Sequence, residues 1–241
     1  LDLNDLFTAN GGGYAIKGQV AGDAAGYTVL SVGDMNGDGR ADMLVGAPGQ
    51  DAGGLDAGAA YVVWGRTAAS NVLLNNVAAG TGGFKIIGAA AGEAVGTEMA
   101  VLADQNGDGR AEILIGAQMS DTVYVVNGKA TGAAVDLGVV ATGVGGYAII
   151  GAAGAQVGAS VGSAGDVNGD GRDDILIGAP GENSAYVVYG KADQTNVDLS
   201  NVAAGIGGFR IIGEAAGDLA NLVVTGGGSV GFSGTSITRC R

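Results

Sequence analysis

Residues 34–42 read DMNGDGRAD, and this stretch returns as DQNGDGRAE at 104–112 and as DVNGDGRDD at 166–174. In each copy, side chains that carry oxygen stand at positions 1, 3, 5 and 9, and glycines stand at positions 4 and 6. This spacing is typical of a loop that wraps around a hard cation. Because the stretch recurs at a near-constant interval, it also indicates that the fold is built from repeats.

Short apolar runs recur around each loop and predict the strands of a repeat. The first copy has them at 43–45, 60–65 and 83–88, with counterparts at 113–115, 123–128 and 146–151 and at 175–177, 185–190 and 208–213. A further strand is expected before each loop, around 27–29 and 99–101. The triplets do not alternate with polar residues, so we expect their strands to be covered on both faces. Four strands in about 60 residues predict an all-β fold, a β-propeller of four-stranded antiparallel blades.

These residues resemble the FG-GAP repeats of the integrin α-subunit propeller. The second half of that signature stands as Gly-Ala-Pro at 46–48 and 178–180, and is altered to Gly-Ala-Gln at 116–118. The first half is degenerate, since Ala-Gly or Val-Gly replaces Phe-Gly at 25–26, 95–96 and 157–158. The resemblance covers about residues 14–218. It implies calcium bound in a turn between the first and second strands of each blade.

The loop spacing predicts three Ca²⁺ sites. Positions 1, 3, 5 and 9 would supply side-chain oxygens and position 7 its backbone carbonyl, which makes the ligands Asp34, Asn36, Asp38, Arg40 and Asp42; Asp104, Asn106, Asp108, Arg110 and Glu112; and Asp166, Asn168, Asp170, Arg172 and Asp174. The arginine side chains are expected to project outward without a role at the metal. The middle site departs most from the pattern of the other two loops, because Glu112 is longer than Asp and its carboxylate need not occupy the same place.

Other interpretations of the loops are less consistent with the sequence. An EF-hand needs a carboxylate at position 12, where this chain has Val45, Ile115 and Ile177. Asp-Asn-Gly segments also form hairpin turns in which side chains bond their own backbone, but three turns with one oxygen pattern favour a metal. Magnesium prefers rigid octahedral geometry, and zinc or iron would need His or Cys ligands. The chain has no His and one Cys, Cys240.

The two ends leave the number of blades open. The chain is expected to be a single domain, 1–241, with repeats at about 19–88, 89–151 and 152–213. The segment 14–18 matches the fourth-strand run, and 221–225 could be a first strand, although no acidic loop follows it.

We therefore expect 1–18 and 214–241 to form a fourth, metal-free blade that closes the ring. One alternative is a homodimer that shares one ring, since seven blades are usual in the family by resemblance. Another is a truncated fragment.

Composition narrows the functions. A net charge of −13 makes nucleic acid and anionic membrane surfaces poor partners, so we expect no nucleic-acid partner. No apolar run reaches 18 residues, so we expect no insertion into a membrane. Without His there is no Ser-His-Asp triad, and we expect no catalytic residues and no enzyme activity. Trp64 could stack on a sugar or peptide, but its counterparts are Asn127 and Tyr189, which favours a variable strand end.

The expected function is that of a calcium-stabilised binding or adhesion module, extracellular or on the cell surface and of a bacterial secreted type. The ligand would be a protein or a glycan, and the seven-residue insertion within 49–59 is the candidate contact loop. The alternatives are the non-catalytic propeller of a secreted hydrolase and a structural repeat fragment.

Overall fold

The computed structural model describes residues 13–214 and two strands of the tail, at 222–225 and 229–232. The strands in chain order are β1 (Ile16–Lys17), β2 (Val29–Gly33), β3 (Asp42–Ala47), β4 (Ala59–Val63), β5 (Val72–Leu73), β6 (Gly83–Ile87), β7 (Glu98–Leu102), β8 (Glu112–Ala117), β9 (Thr122–Val126), β10 (Val135–Asp136), β11 (Gly146–Ile150), β12 (Ser160–Gly165), β13 (Asp174–Ala179), β14 (Ser184–Val188), β15 (Val197–Asp198), β16 (Gly208–Ile212), β17 (Leu222–Thr225) and β18 (Ser229–Phe232). The α-helices are α1 (Leu74–Ala78), α2 (Leu137–Val140) and α3 (Leu199–Ala203), and 3-10 turns lie at Gln118–Ser120 and Pro180–Glu182.

Three antiparallel meanders form the body of the described chain. Their strand orders are β2-β3-β4-β6, β7-β8-β9-β11 and β12-β13-β14-β16. The apolar triplets lie in β3, β8 and β13, and the aromatic runs form the third and fourth strands. The prediction of an all-β fold made of four-stranded antiparallel sheets is confirmed.

Short strands followed by one-turn helices connect each sheet to its neighbour, and the sequence did not predict them. Strand β10 pairs in parallel with β6, and β15 pairs with β11, which adds an edge strand from the next repeat. The pair β1–β5 has the same register, because Ile16 faces Val72 as Ile86 faces Val135. Strand β1 therefore takes the place that β6 and β11 take in later repeats.

The hydrophobic core is divided into layers that neighbouring sheets share. Between the first two sheets, Leu44 and Phe84 pack with Ile113 and Tyr124. Between the second and third sheets, the layer contains Leu114, Val125, Tyr147, Ile175, Ile177 and Tyr186. Every residue of β8 and β13 is buried, which confirms that their apolar triplets are covered on both faces. In β3 the triplet is buried except for the half-buried Met43. Face-to-face stacking of this kind is consistent with a β-propeller.

Glycines of neighbouring repeats meet where the sheets approach most closely. A Cβ atom added to Gly46 would lie 2.1 Å from the carbonyl oxygen of Gly96, and one added to Gly116 would lie 2.2 Å from that of Gly158. Gly96 and Gly158 also have φ values of 99° and 88°, which L side chains rarely adopt. The two glycines of the repeat signature thus face each other across a repeat boundary, and their lack of side chains permits the contact.

The tail contributes a hairpin beside the third sheet. Strand β17 pairs with β18 in antiparallel fashion and lies next to β12, as β12 lies next to β7. A strand at 222–225 agrees with the expectation that a further repeat starts there. The rest of the expected fourth blade, at 1–12, 215–221, 226–228 and 233–241, lies outside the described residues, as does Cys240.

Candidate metal centre

The three acidic loops connect the first and second strands of each sheet. The first loop leaves β2 at Gly33, where a bulge shifts the register and φ is 67°, and it ends where Asp42 begins β3. Gly37 and Gly39 have φ values of 82° and 84°, and their counterparts in the other loops are also positive. These glycine conformations curl the loop so that its side-chain oxygens lie close together.

The first aspartate of each loop accepts hydrogen bonds from the loop's own backbone. Asp34 accepts from the amides of Gly37 at 2.8 Å and Gly39 at 2.7 Å through its two oxygens. Asp104 and Asp166 repeat this pattern. These amides, that of the second glycine first, hold the pKa of each of the three carboxyls below its usual value. The three side chains thus remain ionised across the physiological range, as cation ligands must be.

The middle side chains of the loops also bond to nearby backbone groups. Asn36 accepts from the amide of Asp38 at 2.8 Å, and Asp38 accepts from the amide of Arg40 at 2.9 Å. These are the contacts expected of a plain turn. They do not exclude a metal, because each carboxylate or amide oxygen has two lone pairs and can serve a donor and a cation together.

The aspartate at position 9 connects the loop to the third strand. Asp42 is buried; its Oδ2 accepts from the amide of Met35 at 2.9 Å and its Oδ1 accepts from Gly65, just past β4, at 2.8 Å. Asp174 is equally buried and accepts from Val167 and Gly190. Burial raises the pKa of Asp42. Sequence reasoning missed the role of Gly65 and Gly190, although a glycine ends the third-strand run in every repeat.

The second loop brings three carboxylates into one cluster. One ligand oxygen each from Asp104, Asp108 and Glu112 lies within 4.8 Å of the others. Two oxygens on opposite sides of one Ca²⁺ ion, at about 2.3–2.6 Å each, are about 5 Å apart, so one ion could contact all three. The longer Glu112, which made this loop the most divergent in sequence, is thus the residue that reaches the other two.

Glu112 is also incompletely satisfied. Its Oε2 accepts from the amide of Gln105 at 2.7 Å, whereas its buried Oε1 has no hydrogen-bond partner in the described part of the chain. Burial raises the pKa of Glu112 to about 7, and the charges of Asp104 and Asp108 add to the effect. A buried, unpartnered carboxylate oxygen beside two further carboxylates fits a hard divalent cation, which would supply the missing contact.

The prediction that the arginine side chains project outward is wrong at two of the three loops. Arg110 Nε donates to the carbonyl oxygen of Met35 at 3.0 Å, and Arg172 Nε donates to that of Gln105 at 3.2 Å. Each arginine therefore contacts position 2 of the preceding loop rather than solvent alone. The sequence could not show this, because it depends on neighbouring loops lying on the same end of adjacent sheets.

Comparison with known proteins supports the repeat assignment. The family model described as the FG-GAP repeat matches residues 25–63 and 157–198. Both matches include the first strand, the acidic loop and the second and third strands; the first ends with β4 and the second continues to the end of β15. No curated protein matches the chain. The chain therefore contains FG-GAP repeats.

Proposed function

We propose that this chain is a calcium-stabilised β-propeller module that binds a protein or glycan partner and has no catalytic activity of its own. The observation that supports the calcium role most directly is the cluster of Asp104, Asp108 and Glu112, whose ligand oxygens lie within 4.8 Å of one another. The repeated loop geometry extends the proposal to the first and third loops, where the same positions carry Asp and Asn.

The residues present suit calcium at each loop. In the first loop Asp34, Asn36, Asp38 and Asp42 would supply side-chain oxygens and Arg40 its backbone carbonyl. The second loop would use Asp104, Asn106, Asp108, Arg110 and Glu112, and the third Asp166, Asn168, Asp170, Arg172 and Asp174. All donors are oxygen, which calcium prefers and zinc does not require.

The ion would have a structural role. Each loop holds several carboxylates close together, and their mutual repulsion opposes folding until a cation neutralises it. The position 9 carboxylate begins the second strand and also bonds the amide just past the third strand, as Asp42 does with Gly65. Calcium at the first loop would therefore fasten the first three strands of its sheet at one end.

The propeller and its surroundings are part of the same proposal. FG-GAP repeats are typical of extracellular binding proteins, and no helix among the described residues is long and apolar enough to cross a membrane. The insertion within 49–59 packs against the next repeat, where the amides of Gly92 and Ala94 donate to the carbonyls of Leu55 and Asp56. Its tip remains exposed at Leu55, which suits a contact loop. The same features would fit the non-catalytic propeller of a secreted hydrolase.

Calorimetric titration of the calcium-free chain with Ca²⁺ tests the proposal. We expect three ions per chain, and two for Asp108→Asn, because a neutral amide at position 5 weakens the second site. Asp56→Asn is the matched control, since Asp56 is exposed and lies outside the loops. Absence of calcium binding, or unchanged stoichiometry in Asp108→Asn, would contradict the proposal.

A further inference from the structure

An open cleft of about 650 Å³ lies beside the first acidic loop. It is bounded by that loop on one side and by the segment from the end of β4 to α1 on the other. Its walls carry an aromatic ring, two arginines and several amide or hydroxyl groups, from Trp64, Arg40, Arg66, Asn71, Asn76 and Thr81. Asp38 also lines the cleft, so two arginines face one aspartate there and leave an excess of one positive charge, in a chain with a net charge of −13.

Arg40 differs from its two counterparts. Arg110 and Arg172 each donate through Nε to the loop of the preceding repeat. Over residues 13–214 the side chain of Arg40 makes one polar contact, an ion pair of 3.5 Å with Asp38, and it is 46% exposed. Most of the guanidinium donors of Arg40 are therefore available at the cleft.

Arg66 is held in place by two contacts. Its Nη2 donates to Ser70 Oγ at 2.6 Å, and its guanidinium lies over the ring of Tyr14, 5.9 Å from the centroid. These contacts orient the guanidinium but use one of its five donors, which leaves the others to bind a carboxylate.

Trp64 forms an apolar part of the wall. It is the single tryptophan of the chain, and it packs against the core layer between the first two sheets. Its Nε1 is buried without an acceptor among the described residues, so packing alone holds the indole. An indole face supported from behind suits stacking against a sugar ring.

The equivalent cleft of the second repeat lacks these features. It is smaller, about 430 Å³, and Asn127 replaces the tryptophan. It contains one lysine and two aspartates, Lys129, Asp108 and Asp136. The ammonium of Lys129 already lies over the ring of Phe84, 4.8 Å from its centroid. The first cleft thus differs from the second in its excess of positive charge and in its tryptophan.

We infer that the first cleft binds an acidic saccharide, with the carboxylate on Arg40 and Arg66 and a sugar ring against Trp64. The amides of Asn71 and Asn76 line the same cleft and suit hydroxyl groups. A volume of about 650 Å³ accommodates a short saccharide. This inference deepens the proposed binding role and rests on it. An acidic peptide would share the carboxylate but would not need the combination of indole and amide groups.

Fluorescence of Trp64 tests the inference, because no other tryptophan contributes. The calcium-loaded chain is titrated with a glucuronate–N-acetylglucosamine disaccharide, with its uncharged methyl ester and with an acidic tripeptide. We expect a saturable change with the acid and affinities about tenfold or more lower for the ester and the peptide. Arg40→Ala and Arg66→Ala should each lower the affinity about tenfold or more, while Lys129→Ala, in the second cleft, should change it less than about twofold.

The side chain of Arg40 is exposed and makes one ion pair, so we expect Arg40→Ala to fold. This variant keeps the test informative if Arg66→Ala fails to fold. Three outcomes overturn the inference: no binding of the acid at about 10 mM, which is about ten times a Kd of 1 mM; equal binding of acid and ester; or tighter binding of the peptide. Calcium binding is measured on the same sample. Normal calcium binding without saccharide binding rejects the saccharide site and leaves the calcium proposal intact.

Discussion

At the scale of single residues, Glu112 separates a cation site from a plain turn. Both carboxylate oxygens of Asp42 and of Asp174 accept hydrogen bonds from backbone amides, so these two residues could stabilise a plain turn without a cation. Glu112 bonds one amide and leaves its second oxygen buried and unpartnered in the described chain. Such an oxygen is costly unless a proton or a cation accompanies it. Proton and calcium should therefore compete for Glu112.

This competition predicts a pH dependence for the calcium-free chain. Folding raises the pKa of Glu112 from 4.5 to about 7, so between these values the folded state holds the proton more tightly than the unfolded state. The stability that Glu112 contributes to the chain is then highest below pH 4.5 and is lost as the pH rises towards 7. Glu112→Gln, which cannot ionise, should remove this loss. Melting temperatures of both proteins at pH 5 and pH 7.5 give the comparison.

The aspartates at position 1 of the three loops affect the stability of the chain in a different pH range. Their pKa values are lowered by backbone amides, so their contribution is present above the ordinary value of 3.8 and is lost only below it. They should not disturb the measurement between pH 5 and 7.5. If Glu112→Gln and the parent lose stability equally over that range, the role assigned to Glu112 is wrong.

Which residues carry the oxygens could be predicted from the sequence, but their surroundings could not. The 1-3-5-9 spacing placed Asp34 and Asp38 in one loop, because a turn of nine residues must bring them together. Burial of Glu112 and the direction of Arg110 depend on the neighbouring sheet and on the preceding loop. Contacts across repeats leave no periodic mark within one loop, so sequence reasoning missed them.

At the scale of elements, long strands were predictable and short ones were not. The runs in β3, β8 and β13 are apolar throughout, which is how a strand buried on both faces is recognised. The two-residue strands β5, β10 and β15 are too short to show any period. Their signal is the repeated V-x-L-x-x-V-A at 72–78, 135–141 and 197–203, in which the Leu and the second Val are the buried residues of the helix.

The glycine contact between repeats predicts a sensitive position. Gly116→Ala would place a Cβ 2.2 Å from the backbone oxygen of Gly158, and backbone cannot move aside as a flexible side chain can. We expect a loss of about 1–3 kcal/mol in the free energy of unfolding, measured with urea. Gly138→Ala is the control, because Gly138 lies in α2 and its nearest contact is the Asp136 side chain at 3.1 Å. That change should be neutral or stabilising by up to about 1 kcal/mol. Equal effects of the two substitutions would contradict the packing argument.

At the scale of the whole molecule, the question is how the ring closes. Strand β17 lies beside β12, as β12 lies beside β7, which is the position expected for the first strand of a fourth sheet. The face of β16 that carries Phe209 is less covered, since Phe209 is 40% exposed whereas its counterpart Phe84 is 0% exposed.

We therefore predict closure within one chain. Light scattering in calcium should give a mass near 23.1 kDa. A mass of twice 23.1 kDa, about 46 kDa, would contradict self-closure and favour a ring shared by two copies. Phe209→Ser should leave the mass unchanged if the chain closes alone. A shift from the dimeric to the monomeric mass in that variant would identify β16 as the shared edge.

The central claim is that calcium in the three loops stabilises the fold by fastening the strands of each sheet, and thermal unfolding tests it most directly. A ligand at 100 times its Kd stabilises by about 2.7 kcal/mol for each site, which for a chain of this length raises the melting temperature by about 5–10 °C. We predict that excess Ca²⁺ raises the melting temperature of the calcium-free chain by at least about 5 °C. Identical melting curves in excess calcium and in excess chelator would contradict the account.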